Sequence, residues 1–390
     1  MFNFLSKIYV AIVFCVTGFV SLSYQVAWNK ILSQTIGSDY YSTTIIVSIF
    51  MLGLGAGGYI GGAVVRYVKT PVYIFFIAEI IISLFGLISV DLLRIAPVLL
   101  SHVQPGLESY GSLIIDFVIN LLILIVPVTL MGISLPIMAD YYKNKLAPGA
   151  EVGMIYSLNI VGASVGAFIS GFYLIGTIGI ALTIDLASYL NLSLALFGLV
   201  VFLIKDKENF LNLIVLLKSR GRRESSKDYS AKMFGVKERS TDIIYQLKKY
   251  KLLFLLTFLI GFIALAYEVL YFRVFIYYLS ANAYVFPIVL SIYLLFMMFG
   301  NYIAAQGLAL KFKVETIMLI SITGIVLTSP FLFLVPDFIR VIDSSTVHSV
   351  FDLQFRTFYG ALGFDYYVAI SIIVTSICMI PVIFISMFFP

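Results

Sequence analysis

Long apolar runs constrain this chain more than any other feature. The sequence contains about ten windows of roughly twenty apolar residues, the length that a helix needs to cross about 30 Å of hydrocarbon. They lie near residues 7–27, 41–64, 72–92, 112–137, 152–174, 177–204, 252–275, 283–306, 315–335 and 364–388. Each run is continuous and does not alternate, which excludes a membrane β-barrel. The sequence therefore predicts an all-α, polytopic membrane helix bundle of about ten transmembrane helices.

Composition and charge agree with this class. Hydrophobic residues make up 61% of the chain and charged residues 12%, whereas soluble domains carry roughly 25% charged residues. If the amino terminus is cytoplasmic, 20 of the 25 Lys and Arg residues fall on the cytoplasmic side, as the positive-inside rule requires. We therefore expect a multi-pass protein of the cell inner (plasma) membrane with a cytoplasmic amino terminus. The net charge of +5 follows from topology and does not indicate a nucleic-acid partner.

One stretch of the chain occurs twice. Residues 18–62 align with residues 261–305 at an offset of 243 without a gap. The identical pairs include Gly18/Gly261, Tyr24/Tyr267, Val26/Val269, Tyr41/Tyr284, Ser48/Ser291, Gly57/Gly300 and Tyr59/Tyr302. Unrelated apolar stretches share Leu and Ile freely, but not Gly, Tyr and Ser in register, so the match predicts a duplicated unit. A second match, at an offset of 254, pairs PVTLMGISLP (127–136) with PVIFISMFFP (381–390).

The duplication divides the chain into three parts. Residues 1–204 form a first unit of six helices, and residues 205–251 form a basic cytoplasmic linker. Residues 252–390 form a second unit of four helices, which is incomplete relative to the first. Within the first unit, the run GLGAGGYIGG (53–62) predicts close approach to a neighbouring helix, as either a static or a sliding contact. The prolines at 127 and 136 predict a bend in the fourth helix.

Two units joined by a long basic loop resemble the major facilitator architecture, in which substrate sites lie between the halves near mid-depth. Five blocks point further. They read GFxxLxYQVxW, GS-x-x-YS-x-T, FMLGLGAGGYIGG, LMGISLPIMA and GMIYSLNIVGASVGAFISGFYLIGTIG. Their order is similar to that in the membrane part of fused spermidine synthase proteins, where a membrane domain precedes an aminopropyltransferase domain. The resemblance covers about residues 10–185, with 255–306 as the second copy.

The chain departs from that family in two respects. An aminopropyltransferase domain has a soluble α/β fold with a glycine-rich loop for its nucleoside cofactor and an acidic pair for the amine, and the linker contains neither. Val64 and Val65 stand where major facilitators usually carry an acidic residue. The resemblance therefore implies the membrane portion alone, with no catalytic residues and no cofactor on this chain.

Metal chemistry is not indicated either. His102 and His348 fall in predicted loops without cysteine or carboxylate at ligand spacing, which is typical of surface histidines. Cys15 and Cys378 both lie inside predicted spans, so neither a disulfide framework nor a metal site is expected.

The remaining candidates are polar groups inside predicted spans. A charged side chain in hydrocarbon costs about 2.5–3.5 kcal/mol and is expected to face the bundle interior. Glu79 lies mid-span in the third window, either as a substrate or proton-coupling carboxylate or as a carboxyl kept neutral by burial. Asp116, Asp185 and Glu268 lie towards the outer side, where they would line a cavity that attracts a cation such as a polyamine.

Two alternatives stay open for these polar groups. Lys30 and Arg273 occupy equivalent repeat positions and would instead neutralise the outer carboxylates as ion pairs. Gln25 and Glu268 also occupy equivalent positions, each directly after a repeated tyrosine, which predicts either the interface between units or a central site. The residues proposed for solute binding are Glu79, Glu268, Gln25, Tyr24, Tyr267, Asp116, Asp185 and Asn159.

The sequence thus favours binding or translocation of a small solute, with a polyamine or related cation as the candidate. The alternative function is a membrane anchor or regulatory module that transports nothing. Its partner would be a spermidine-synthase-like aminopropyltransferase, encoded separately or removed by truncation. In both cases the lipid bilayer surrounds the protein.

Overall fold

The computed structural model describes residues 2–68, 70–101, 109–142, 148–205, 251–278, 285–328, 330 and 379–387. These residues are almost entirely helical, and no strand occurs among them. The predicted first unit contains α1 (Phe2–Ile36), α2 (Asp39–Tyr67), α3 (Val72–Ser101), α4 (Ser109–Tyr142), α5 (Pro148–Ile169), α6 (Ile175–Ile178) and α7 (Ile180–Lys205), with a π-helical turn (Ser170–Leu174) joining α5 to α6. The second contains α8 (Lys251–Tyr278), α9 (Val285–Ala309), α10 (Val314–Thr328) and α11 (Ile380–Ser386).

Seven helical segments among the described residues are long and apolar enough to cross a membrane. They are α1, α2, α3, α4, the continuous α5–α6 run, α7 and α9. An all-helical, multi-pass membrane protein is therefore confirmed, while the count of ten spans stays a prediction. Helix α8 lies at the predicted seventh span, and α10 is shorter, with 15 residues. Most of the linker, both histidines and Cys378 lie outside the described residues.

Helices α2 and α4 pack closely because small residues face each other. A Cβ atom on Gly57 would clash with the Thr129 carbonyl oxygen and would lie only 2.7 Å from the Gly132 Cα. Gly53 and Gly61, four residues away on either side, likewise face Val128 and Ile133. The alternate glycines of the run thus form a tight contact within the first unit. Helix α4 continues through both of its prolines.

Helix α5 contacts helices on two of its sides. On one side, a Cβ atom on Gly162 or Gly166 would clash with the carbonyl oxygens of Cys15 and Phe19 in α1. On the other side, the Ser164 hydroxyl donates a 2.7 Å hydrogen bond to the carbonyl oxygen of Ser291 in α9. Helix α5 therefore joins α1 of the first unit to α9 of the second.

The two sequence matches coincide with equivalent contacts. A Cβ atom on Gly300 of α9 would clash with the Ile383 carbonyl oxygen and the Ser386 hydroxyl of α11. Gly57 and Gly300 differ by 243 positions, and Thr129 and Ile383 differ by 254. Contacts between α9 and α11 thus correspond to those between α2 and α4.

Two apolar clusters fill the first unit at different depths. One lies toward the end where the turn at Gly37 and Ser38 joins α1 to α2, which we call the hairpin end, and includes Trp28, Ile82 and Val128. The other lies toward the opposite end and includes Phe76 and Ile137. The buried polar residues described next lie between them.

Candidate functional site

Glu79 is buried in α3 and its carboxylate is bound by residues of two neighbouring helices. The Ser134 hydroxyl of α4 donates to Oε1 at 2.9 Å, and the Asn191 amide of α7 donates to Oε2 at 2.9 Å. Asn191 also reaches the Glu79 carbonyl oxygen at 3.3 Å. We call Glu79, Ser134 and Asn191 the Glu79 layer. It connects three helices through one carboxyl group.

The position of this layer follows from the apolar residues around it. On each of the three helices, the buried apolar residues about one turn before and one turn after the layer belong to different apolar clusters. For α3 these are Phe76 on one side and Ile82 on the other, and Ser134 and Asn191 are flanked in the same way. Because a buried polar group is costly unless it is hydrogen-bonded, the bonds within the layer stabilise the Glu79 carboxyl group between the clusters.

A second group of hydrogen bonds lies closer to the hairpin end. The Tyr24 hydroxyl of α1 and the Ser188 hydroxyl of α7 are 2.8 Å apart. The Trp28 indole N–H donates to the Ser89 hydroxyl of α3 at 2.9 Å, and the Tyr24 and Trp28 rings stack with their centroids 5.2 Å apart. A Cβ atom on Gly86 would clash with the Tyr24 and Ser188 hydroxyl oxygens. Tyr24 is therefore a structural contact among α1, α3 and α7.

Glu268 has different surroundings. It lies in α8 and only 4% of its surface is exposed. Its helix is held to α9 by Tyr293, whose hydroxyl donates to the Ala264 carbonyl oxygen, one turn from Glu268, at 3.4 Å. Tyr156 of α5 and Tyr271 of α8 lie with Glu268 within electrostatic range of the Tyr293 hydroxyl. Among the described residues, none donates a hydrogen bond to this buried carboxyl group.

The structure distributes the other predicted residues among separate places. Gln25 is buried in α1, and Tyr267 is half-buried in α8. Asn159 donates to the Phe14 carbonyl oxygen at 2.6 Å, so its amide joins α5 to α1. Asp116 is half-buried in α4, where its carbonyl oxygen accepts the Asn120 amide. Asp185 lies on α7 within electrostatic range of the Tyr24 hydroxyl.

A shared carboxylate cavity is not visible in the described part of the chain. Helices α4, α7 and α8, which carry Asp116, Asp185 and Glu268, do not pack extensively against one another there. The ion-pair alternative finds no support either. The Arg273 guanidinium lies 4.5 Å above the Tyr40 ring, and no described acidic residue pairs with it.

Sequence reasoning missed the residues that surround the two carboxyl groups. Ser134 and Asn191 could have been identified from the rule that a buried charge needs partners on other helices, although the rule does not say which partners. Asn301 in α9 was also missed. It is fully buried, and neither polar atom of its side-chain amide has a hydrogen-bond partner among the described residues.

The described residues contain no group of three histidine, cysteine or acidic side chains that could hold a metal ion. No family model, no curated protein and no solved structure matches the chain. The contacts above are therefore the basis for a functional proposal.

Proposed function

We propose that this membrane protein binds a small cationic solute at Glu268, between its two units, and moves it by alternate exposure of that site. The observation that carries the proposal is the buried carboxyl group of Glu268, which lacks a donor among the described residues. A buried carboxylate is costly unless a cation or hydrogen bonds compensate it. An ammonium group would supply both the positive charge and the hydrogen-bond donors.

The aromatic surroundings support a cation of this kind. Tyr293 and Tyr271 belong to the second unit, and Tyr156 belongs to the first. Tyrosine rings attract ammonium groups through their faces, with about 0.5–2 kcal/mol for each good contact. A polyamine carries several such groups, so one could compensate the Glu268 carboxylate while another contacts the Tyr293 ring near it.

The arrangement in two major-facilitator-like units belongs to the same proposal. It is supported by the repeated sequence and by the equivalent contacts of Gly57 and Gly300. Because α5 of the first unit packs on α9 of the second, a change in that contact would alter access to Glu268.

The test is the thermal stability of the purified protein in detergent with putrescine, spermidine and spermine, against sodium and tetramethylammonium as control cations. A ligand that binds only the folded state raises its stability, by about 2.7 kcal/mol at a hundredfold excess over Kd. We expect the amines to raise the melting temperature of the natural chain and not that of Glu268→Gln. Glu315→Gln, at an exposed position, is the matched control and retains the effect.

An amine effect that persists in Glu268→Gln would contradict the site. If no amine affects a folded protein, the second candidate function gains support: a membrane module that positions an aminopropyltransferase. The five sequence blocks favour that candidate. It is tested by measuring whether the chain co-purifies with such an enzyme.

A further inference from the structure

A small cavity lies between α2 and α8, toward the hairpin end. Its volume is about 220 Å³, including its open mouth. Tyr40, Thr43 and Thr44 of α2 and Phe272 and Arg273 of α8 are among the residues that line it. We call this space the Arg273 cavity. One wall comes from each of the two predicted units.

Arg273 supplies the only charge among the described residues that line the cavity. Its guanidinium carbon lies 4.5 Å from the centroid of the Tyr40 ring, and the side chain is exposed on its other side. The acidic residues of the same two helices do not pair with it. Asp39 accepts the Ser33 hydroxyl, and Glu268 lies buried five residues earlier in α8. The ring contact therefore leaves the N–H donors at the guanidinium edge for an anion.

A second donor on the cavity wall has no partner. The hydroxyls of Ser42 and Thr44, on either side of it in α2, donate to the carbonyl oxygens of Asp39 and Tyr40 at 3.0 Å each. Thr43 lies between them and is 3% exposed, and its hydroxyl has no hydrogen-bond partner among the described residues. Because an unpaired buried hydroxyl is costly, this group favours a ligand that accepts its hydrogen bond.

The depth of the cavity indicates which anion it meets. Helix α2 has 29 residues, so it is about 43 Å long, whereas the hydrocarbon core of a bilayer is about 30 Å thick. Thr43 follows the start of the helix at Asp39 by about one turn. We therefore expect the cavity at the level of the lipid headgroups, where phosphate is the prevailing oxyanion. The planar guanidinium of arginine matches phosphate oxygens in pairs.

We propose that the Arg273 cavity binds a phosphate group, with the Arg273 guanidinium and the Thr43 hydroxyl as its donors. A lipid headgroup and a soluble phosphate ester present the same oxygens, and the experiment separates these two sources. A phosphate bound there would hold α2 and α8 together at the hairpin end. This proposal does not depend on the solute proposed for Glu268.

The test measures the thermal stability of the purified full chain in a maltoside detergent and a phosphate-free buffer. Phosphatidylglycerol is the lipid probe and glycerol 1-phosphate is the soluble probe. Diacylglycerol and chloride are the matched compounds without phosphate. Each compound is titrated against the natural chain and against Arg273→Gln, Thr43→Val and Arg94→Gln. Arg94 is an exposed arginine of α3 near the same end of the bundle, so its variant controls for the loss of a positive charge.

We expect at least one phosphate compound to raise the melting temperature of the natural chain and of Arg94→Gln. In Arg273→Gln its apparent Kd should rise at least about tenfold, because charge-assisted hydrogen bonds are lost. Thr43→Val should raise the Kd about threefold or more without lowering the melting temperature of the ligand-free protein, because the hydroxyl bonds to no described residue.

An effect of phosphatidylglycerol alone would support the proposal with a lipid headgroup as the source. An effect of glycerol 1-phosphate would support it with a soluble phosphate as the source. The proposal is overturned if neither compound acts, or if diacylglycerol acts as strongly as phosphatidylglycerol. It is also overturned if the Kd in Arg273→Gln equals that in Arg94→Gln, or if Thr43→Val leaves the Kd unchanged.

Discussion

The two buried glutamates of this protein have opposite surroundings. Glu79, inside the first unit, accepts hydrogen bonds from Ser134 and Asn191 and lies between two apolar clusters. Glu268, in the second unit, is equally buried but has no donor among the described residues. A satisfied carboxyl group holds helices together, whereas an unsatisfied one favours a ligand that can compensate it. The difference indicates a structural role for Glu79, and it is the reason that the proposed solute site is placed at Glu268.

The largest expected effect on stability comes from Glu79→Ala. The substitution removes two side-chain hydrogen bonds, each worth about 0.6–1.7 kcal/mol in membrane proteins, so the free energy of unfolding should fall by about 1–3 kcal/mol. The measurement is unfolding of the detergent-solubilised protein by a denaturing detergent. Glu315→Ala, on the exposed start of α10, should leave it unchanged. An equally stable Glu79→Ala protein would contradict the structural role of the layer.

A smaller effect is expected when only one donor is lost. Ser134→Ala removes one hydrogen bond to Glu79, and the free energy of unfolding should fall by about 0.6–1.7 kcal/mol. In the double variant with Glu79→Ala, the losses should not add, because both substitutions remove the same bond. Full additivity in this double-mutant cycle would mean that Ser134 acts independently of Glu79. Ser193→Ala, an exposed serine of α7, is the control.

The smallest effect on stability should follow from Glu268→Gln. No described hydrogen bond is lost, and a neutral amide is cheaper to bury than an uncompensated charge, so the free energy of unfolding without ligand should not fall. The same variant should lose the amine-dependent rise in melting temperature. A large loss of stability without any ligand would give Glu268 the same structural role as Glu79, and the contrast between them would disappear.

Much of the fold could be predicted from local sequence. Continuous apolar runs require helices in a bilayer, because no water satisfies the backbone there, and the described helices lie where the runs predict them. The run of glycines at 53–62 predicted a close helix contact, and α4 makes it. Which glycines face α4 and which lie open was not visible in the sequence.

The hydrogen-bond partners of the candidate residues could not be predicted from the sequence, for a physical reason. Glu79 was the stronger candidate for solute binding as long as its partners were unknown, since no basic residue lies nearby in the sequence. Those partners lie 55 and 112 positions away, on α4 and α7. Asn159 was assigned to a solute site, which stays a prediction, and its amide bonds to the backbone of α1.

The sequence by itself determined that this chain is a helical membrane protein and predicted that a stretch of it is repeated, because hydropathy and residue identity are local properties of the chain. Only the tertiary structure decided which buried carboxyl group is satisfied and which face of α2 stays open. Hydrogen bonds and helix contacts depend on the approach of distant segments to within about 3–4 Å, and no local pattern contains that information.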